Sequence, residues 1–221
     1  MLVNSIFESI SGEAGFFRQG TWCTFIRFQG CNLNCYYCDT SNAQNEKAFH
    51  AYSMSIVEII NRCRFLGNKH ILITGGEPLS RNQFDLFTLI SILIKNGFLV
   101  QIETNGSFNL PDDFLFLKDM VFWVVDRKGP SSGMSGKMIP AETLKEQLKI
   151  NSGILKYVIS HQQDLQWAIN DMYKFSEQDY FLISPVDAKG EDIDWIRRKL
   201  PEDLINKVVF SVQLHKILKM L

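Results

Sequence analysis

From Thr21 onward the chain alternates between two hydrophobic periods, and this limits it to folds in which strands and helices take turns. Thr21 to Phe28 interleaves polar residues with β-formers, which predicts a strand running into Gly30. Residues 41–52 read as a polar loop. Ser53 or Ser55 can cap a helix whose apolar positions Ile56, Ile59, Ile60 and Cys63 recur at helical spacing and which ends near Gly67. His70 to Thr74 has the composition of a buried strand, broken by Gly75-Gly76-Glu77-Pro78. A helix from about Ser80 to Asn96, apolar nearly all round, stops at Gly97. Strands over Phe98–Glu103, Val121–Asp126, Ile154–Ile159 and Tyr180–Ile183 continue the series, with helices after Pro140 and from about Gln162 to Phe175. Strands separated by helices imply a mainly parallel sheet with right-handed crossovers.

Parallel sheets carry their ligand chemistry at the C-terminal ends of the strands. The polar motifs fall there: three cysteines after the first predicted strand, Gly75-Gly76-Glu77 after the second, Glu103-Thr104-Asn105-Gly106 after the third, Asp126-Arg127-Lys128 after the fourth and Ser184-Pro185 after the last. They would share one site. A length of 221 residues suits one domain, residues 1–221, and 46% hydrophobic content with 17 Phe is ample for a core. A formal charge of −1 argues against a nucleic-acid or membrane-surface partner and for a small molecule. The first residues lack the basic region of a secretory signal, and the apolar run Phe84 to Ile94 is interrupted and short of a bilayer span. A cytoplasmic chain with reduced thiols is expected.

Cys31, Cys35 and Cys38 lie within eight positions, with three and then two residues between them, so one short loop can turn three sulfurs toward a metal centre. Zinc wants four nitrogen or sulfur ligands in paired spacings, and His50, the nearest candidate, has no such partner. A disulfide framework cannot use three clustered cysteines. A [4Fe-4S] cluster held by only three thiolates keeps one iron open for another ligand. Cys23 and Cys63 sit at strand and helix core positions and read as buried small hydrophobes.

This spacing, with Tyr37 just before the third cysteine, resembles the signature of the radical S-adenosylmethionine (SAM) superfamily. The flanks Glu8 to Glu13, Phe25 to Gly30 and Cys38-Asp39-Thr40 are similar to 7-carboxy-7-deazaguanine synthases. The resemblance implies a partial, open (β/α) barrel in a shortened form. It also implies a [4Fe-4S] cluster whose open iron binds SAM, cleavage of SAM to a 5'-deoxyadenosyl radical, a Mg²⁺ ion, and conversion of 6-carboxy-5,6,7,8-tetrahydropterin to 7-carboxy-7-deazaguanine with loss of ammonia. A homodimer and an external electron donor such as flavodoxin or ferredoxin belong to the same expectation.

The resemblance also distributes roles. Cys31, Cys35 and Cys38 would bind the cluster, and Thr40 would meet Mg²⁺, whose preference for hard oxygen ligands suits a hydroxyl. Tyr37, Cys38, Asp39, Gly76 and Glu77 would lie on the SAM side, Gly76 as the contact to the SAM amino group. So would the lysine-proline-serine segment that begins at Asp126, Arg127 and Lys128, and the strand end Ser184-Pro185. Substrate contacts would come from Ser11, Gly12, Glu13, Arg27 and Thr74. His215 and the terminal carboxylate of Leu221 would join them if the tail, which alternates polar and apolar residues after the β-rich run Lys207 to Val212, forms a last strand that closes the open side of the barrel. The family usually has Gln where this chain has Ser11, and often Gly where it has Ala14, which bears on substrate identity. Two other readings share the triad: a glycyl-radical-enzyme activase, which needs no pterin pocket, and a non-catalytic Fe–S module, which would not cleave SAM.

Overall fold

The computed structural model describes residues 1–12, 15–45, 51–112, 120–186 and 190–218. In chain order the strands are β1 (Leu2–Ile10), β2 (Trp22–Phe28), β3 (Tyr52–Ser53), β4 (His70–Gly75), β5 (Leu99–Thr104), β6 (Val121–Arg127), β7 (Gly153–Ile159), β8 (Phe181–Pro185) and β9 (Val208–Phe210). The helices are α1 (Ile56–Leu66), α2 (Gln83–Lys95), α3 (Ala141–Ile150), α4 (Gln162–Met172), α5 (Gly190–Lys199), α6 (Glu202–Ile205) and α7 (Leu214–Ile217). Among the described residues the strands make one sheet in the order β3-β1-β2-β4-β5-β6-β7-β8-β9. Every neighbouring pair from β2 to β9 is parallel, as the alternation required. β3 and β9 are its two edges, so the sheet is an open, partial barrel rather than a closed one.

Local chemistry explains several boundaries. Ser55 caps α1 through a capping box with Glu58, and Gly67 ends the helix in the left-handed region at φ 80°. The helix expected from Ser80 starts later, because Glu77 and Pro78 first build a 3-10 turn over Pro78–Ser80 and Asn82 then caps α2. Within the stretch expected to be loop, Ser41–Ala43 forms another 3-10 turn, and at its end Tyr52–Ser53 is an edge strand, which leaves Ser55 rather than Ser53 as the cap.

Two parts of the chain depart from the sequence expectation. β1 precedes the alternation and runs antiparallel to β2, with Ile6 opposite Ile26 and Phe7 opposite Phe25, so the sheet is mixed at this edge. Its apolar and polar residues do not alternate cleanly, and its register shifts between Val3 and Ser5, which blurs a period of two. At the other end the β-rich run does form β9, beside β8. The tail beyond it is the helical turn α7, not a closing strand: the Leu218 N–H donates to the Leu214 carbonyl at 2.8 Å.

Period-two alternation divides the sheet between two environments. On one face Ile26, Phe28, Ile71, Ile73, Val100, Ile102, Trp123, Val125, Leu155, Tyr157, Phe181 and Ile183 pack beneath the helices with Ile59, Leu86, Leu89, Leu93 and Leu165. Each such side chain contributes ~1.5–3 kcal/mol by leaving water. The opposite face carries Phe25, Arg27, Thr74, Glu103, Asp126, Lys156, Val158 and Ser184 toward the carboxyl ends of the strands, where they line a cavity. Below them Phe17, Cys23 and Leu72, with Phe25 and Leu99, make a small apolar floor.

Candidate functional site

The cavity, about 470 Å³, opens at the C-terminal ends of β2 and β4 to β8 and draws its lining from all of them and from the loop after β2. Cys31, Cys35 and Cys38 all line it. The loop that carries them is held by backbone bonds at both ends: Gly30 N–H to the Ala43 carbonyl at 2.7 Å, Cys31 N–H to Gln44 at 2.9 Å and Tyr36 N–H to Ser132 at 3.2 Å. At the Cys31 sulfur the Leu33 N–H donates at 3.4 Å and the Asn105 side-chain amide at 3.6 Å. Burial pushes the Cys31 and Cys35 thiols above the usual range, opposed by these donors at Cys31 and by Lys128 near Cys35.

The glycines of Gly75-Gly76-Glu77 line the cavity and serve a purpose besides the ligand approach expected of them. A Cβ at Gly76 would stand 1.9 Å from the Gly30 carbonyl oxygen and 2.8 Å from that of Ala43. One at Gly75, where φ is 119°, would stand 2.4 Å from both Phe28 N and O. The bare backbone lets the end of β4 lie directly against the root of the cysteine loop, and the Gly76 and Glu77 N–H groups bond to Phe28 and Gly30 there. Glu77 is fully buried and accepts from Leu79 N–H at 2.9 Å, Thr104 Oγ1 at 2.7 Å and Asn105 N–H at 2.7 Å. Burial lifts its pKa to about 7 against those three donors. Its carboxylate, in the cavity wall, ties the end of β4 to β5.

Charged groups occupy two sides. Beside β2, Arg27 lies over the Phe7 ring at 5.0 Å and its Nε is buried without a hydrogen-bond partner. Burial lowers its pKa, while Asp39 and Glu103 support its charge. Thr74 Oγ1 donates to Glu103 Oε2 at 3.1 Å. On the far side Asp126 takes Lys128 on one oxygen and Lys156 on the other, the latter at 3.0 Å, so the three side chains leave one net positive charge. Burial disfavours the Asp126 charge, but the two ammonium groups outweigh it and hold its pKa low. Tyr37 lies nearby, its hydroxyl buried without a partner and its pKa pushed up to about 12 by that burial.

Arg127 corrects the sequence expectation. It projects to the helix face, 4% exposed, and its guanidinium forks onto Asp171 at 2.7 and 2.9 Å while donating to the Ile139 carbonyl at 2.8 Å. In a strand, neighbours face opposite ways, so Asp126 and Lys128 reach the cavity and Arg127 does not. Ser11 is also outside the lining: it is fully buried in the β1–β2 connection, its backbone paired with Thr21 and Gly20. Gly12 does line the cavity, as do Asp39, Thr40, Thr74, Gly76, Ser184 and Pro185. Glu13, Leu221 and the His215 side chain lie outside the described residues, as do Ala14 and His50.

The cavity also contains side chains to which sequence reading gave no role. Lys156 stands opposite Asp126 in the β6–β7 register, whereas Glu103, expected at the site only as part of the motif that closes β5, faces the cavity from that strand. Strict strand parity was the available signal for both. Gln213 bonds to Asp39, and Gln19 donates to the carbonyls of Gly12 at 2.7 Å and Val212 at 2.5 Å, so the segment before α7 is fastened beside the cysteine loop. Asp164 receives Ser131, Ser160 and His161 N–H at 2.8–3.1 Å and thereby joins the loop after Lys128 to the end of β7. Only the tertiary fold makes these long-range bonds visible.

Cys23 and Cys63 are fully buried, and burial pushes both thiols up to about 12, as suits the small buried hydrophobes expected from the sequence. Cys23→Ala and Cys63→Ala are expected to keep the iron content and cluster absorbance of the parent protein after anaerobic reconstitution. Loss of iron from either would put a ligand outside the loop.

Comparison with known proteins agrees with this geometry. Residues 25–127 match the model of the radical SAM superfamily. A 7-carboxy-7-deazaguanine synthase of Clostridium acetobutylicum is 35% identical over 215 residues, spanning 96% of this chain and 93% of the relative. A protein of the same name from Methanospirillum hungatei is 31% identical over 226 residues, spanning 99% and 85%. The chain belongs to the 7-carboxy-7-deazaguanine synthase family. The crystal structure of QueE from Escherichia coli shares the fold at a TM-score of 0.70 and 22% identity, over 96% of this chain and 93% of that one.

As a radical SAM protein, this synthase-family member uses a [4Fe-4S] cluster and SAM. Its residues fit both groups. Among the described residues no three His, Cys, Asp or Glu side chains gather as one metal ion would require. A four-iron cluster makes no such demand, because each thiolate meets its own iron. The unpartnered Tyr37 hydroxyl and the Lys128–Asp126–Lys156 group offer polar contacts to a charged cofactor on the same side of the cavity. No helix of the described residues is long and apolar enough to cross a membrane.

Proposed function

We propose that this protein is a radical SAM lyase that converts 6-carboxy-5,6,7,8-tetrahydropterin to 7-carboxy-7-deazaguanine with loss of ammonia, a ring contraction on the route to queuosine-type deazapurines. Arg27 is the observation that carries the reading from family to substrate. Its guanidinium faces the cavity that the three cysteines share, and its buried Nε has no partner, which a carboxylate-bearing ligand would supply. Cys31, Cys35 and Cys38 hold the cluster. Lys128 and Tyr37 serve SAM from the far side, with Asp126 fixing the lysine and Asp39, Gly76, Ser184 and Pro185 completing the wall. Cluster and SAM together supply, when bound, a 5'-deoxyadenosyl radical that takes a hydrogen atom from the substrate.

The protein's own contribution is orientation and charge. Arg27 binds the pterin carboxylate, while Gly12, Thr74 and the Glu103 carboxylate offer hydrogen bonds to the ring on the β2–β5 side. Glu13, His215 and Leu221 belong to the same substrate side by resemblance. The fully buried floor of Phe17, Cys23 and Leu72 keeps water from reaching the site from below. The reading includes one domain over residues 1–221, a cytoplasmic homodimer and an external electron donor of the flavodoxin or ferredoxin kind.

Mg²⁺ completes the proposal. Thr40 begins the Ser41–Ala43 turn, yet its side chain makes no capping bond. Its hydroxyl instead donates to Asp39 at 2.8 Å, so two hard oxygens stand together at the cavity edge. Thr40→Ala is expected to keep cluster and SAM binding while losing most of the Mg²⁺ stimulation of turnover. Turnover that still rises with Mg²⁺ as in the parent protein would remove Thr40 from the metal.

The deciding experiment is anaerobic reconstitution followed by incubation with SAM, a strong reductant and the carboxypterin. Formation of 7-carboxy-7-deazaguanine is the expected result. SAM cleavage without that product would overturn the substrate assignment, and no SAM cleavage at all would overturn the enzyme assignment.

A further inference from the structure

We infer that the Asn105 side-chain amide raises the reduction potential of the cluster by donating a hydrogen bond to the Cys31 sulfur. The inference rests on the assignment of Cys31, Cys35 and Cys38 as cluster ligands. Asn105 follows β5 directly and is 8% exposed. Its Nδ2 lies 3.6 Å from Cys31 Sγ and 2.9 Å from Asn32 Oδ1.

The direction of the amide is fixed by its other end. Ser107 donates to Asn105 Oδ1 through its backbone N–H at 2.9 Å and its hydroxyl at 2.6 Å. A backbone N–H can only donate, so the oxygen must face Ser107 and the nitrogen must face Cys31. Asn32 Nδ2 donates to Ser107 Oγ at 2.8 Å and closes a ring of three side chains. The Asn105 backbone is anchored as well, because its N–H donates to the buried Glu77 carboxylate at 2.7 Å. Both main chain and side chain are therefore set before any electron arrives.

Reduction adds negative charge that the thiolate sulfurs share. An N–H dipole aimed at one of them stabilises the reduced state more than the oxidised one, and hydrogen bonds to sulfur are among the determinants of Fe–S potentials. Burial strengthens the effect by lowering the local dielectric. Leu33 N–H, 3.4 Å from the same sulfur, acts in the same sense but belongs to the backbone, so any substitution other than proline leaves it in place. Asn105 is thus a positioning residue that acts through Cys31, and it makes the cluster easier to load from a donor of limited reducing strength.

The test is a redox titration of the reconstituted full-length protein, followed by cluster absorbance and electron paramagnetic resonance without substrate. Asn105→Ala removes the donor and is expected to lower the one-electron reduction constant about fivefold, which at 59 mV per tenfold is about 40 mV. Asn105→Asp keeps an acceptor for Ser107 but turns a carboxylate toward the sulfur, so its potential should fall further. Shifts under twofold in both variants, or a shift upward in either, would overturn the inference. So would loss of the cluster from both variants, which would make Asn105 an assembly residue. If the parent protein itself takes up no iron, the failure lies in the ligand assignment instead.

Discussion

Gly76→Ala is expected to yield a protein that loses most of its iron and melts well below the parent, although alanine adds a single methyl group. That methyl would arrive 1.9 Å from the Gly30 carbonyl oxygen, 2.3 Å from its carbon and 2.8 Å from the Ala43 carbonyl oxygen. All three are backbone atoms, so no side chain can rotate away; the β4 end or the cysteine loop must move. Overpacking a core typically costs about 1–3 kcal/mol, and a backbone clash belongs at or beyond the upper end. Gly30 immediately precedes Cys31, so any displacement carries the first cluster ligand with it. Gly136→Ala is the control: a Cβ there meets nothing within 4 Å. The measurements are thermal melting of the apoprotein and iron per chain after reconstitution. Parental values for Gly76→Ala would sink the packing argument and return the glycine to a purely ligand-facing role.

That example shows where sequence reading reaches and where it stops. The parallel sheet was legible because the strands from β2 on are short, rich in β-formers and separated by helical periods; the site was legible because polar motifs closed those strands. The cysteine spacing needed no tertiary information. What the motif Gly75-Gly76-Glu77 does was not legible, since the atoms that forbid a side chain lie 46 residues earlier at Gly30. Lys156 and Asp126 are 30 residues apart and meet only through the β6–β7 register. β1 escaped because its register shift and irregular burial hide its period. The tail misled for the opposite reason. Its alternation favoured a strand, but past Ser211, whose N–H still bonds to Ile183, Val212 and Gln213 are taken up by Gln19 and Asp39 and the chain coils instead.

Arg127 offers the sharpest test of strand parity against motif resemblance. A cofactor role predicts that Arg127→Ala weakens SAM binding with little change in stability. The structure predicts the reverse. Asp171 is 1% exposed and receives two bonds from the guanidinium, one from Tyr157 Oη at 3.2 Å and a longer one from Lys174 at 3.3 Å. Removing Arg127 leaves this carboxylate buried with only the half-exposed Lys174 as counter-charge. It also leaves the Ile139 carbonyl without its guanidinium donor and empties the space between the Trp167 and Phe175 rings, which lie 5.8 and 5.6 Å from the guanidinium carbon. Breaking a buried pair by deleting one partner costs about 3–5 kcal/mol, and for a chain of this size that is a melting-point drop of roughly 10 °C. Arg127→Met combined with Asp171→Leu should recover most of the loss, because the uncompensated charge disappears with its partner. SAM affinity, measured on the folded protein at low temperature, should stay within about twofold of the parent, since Asp126 and Lys128 face the cavity from the other side of the strand. A parental melting temperature together with a large fall in SAM affinity would mean that Arg127 turns toward the cofactor after all.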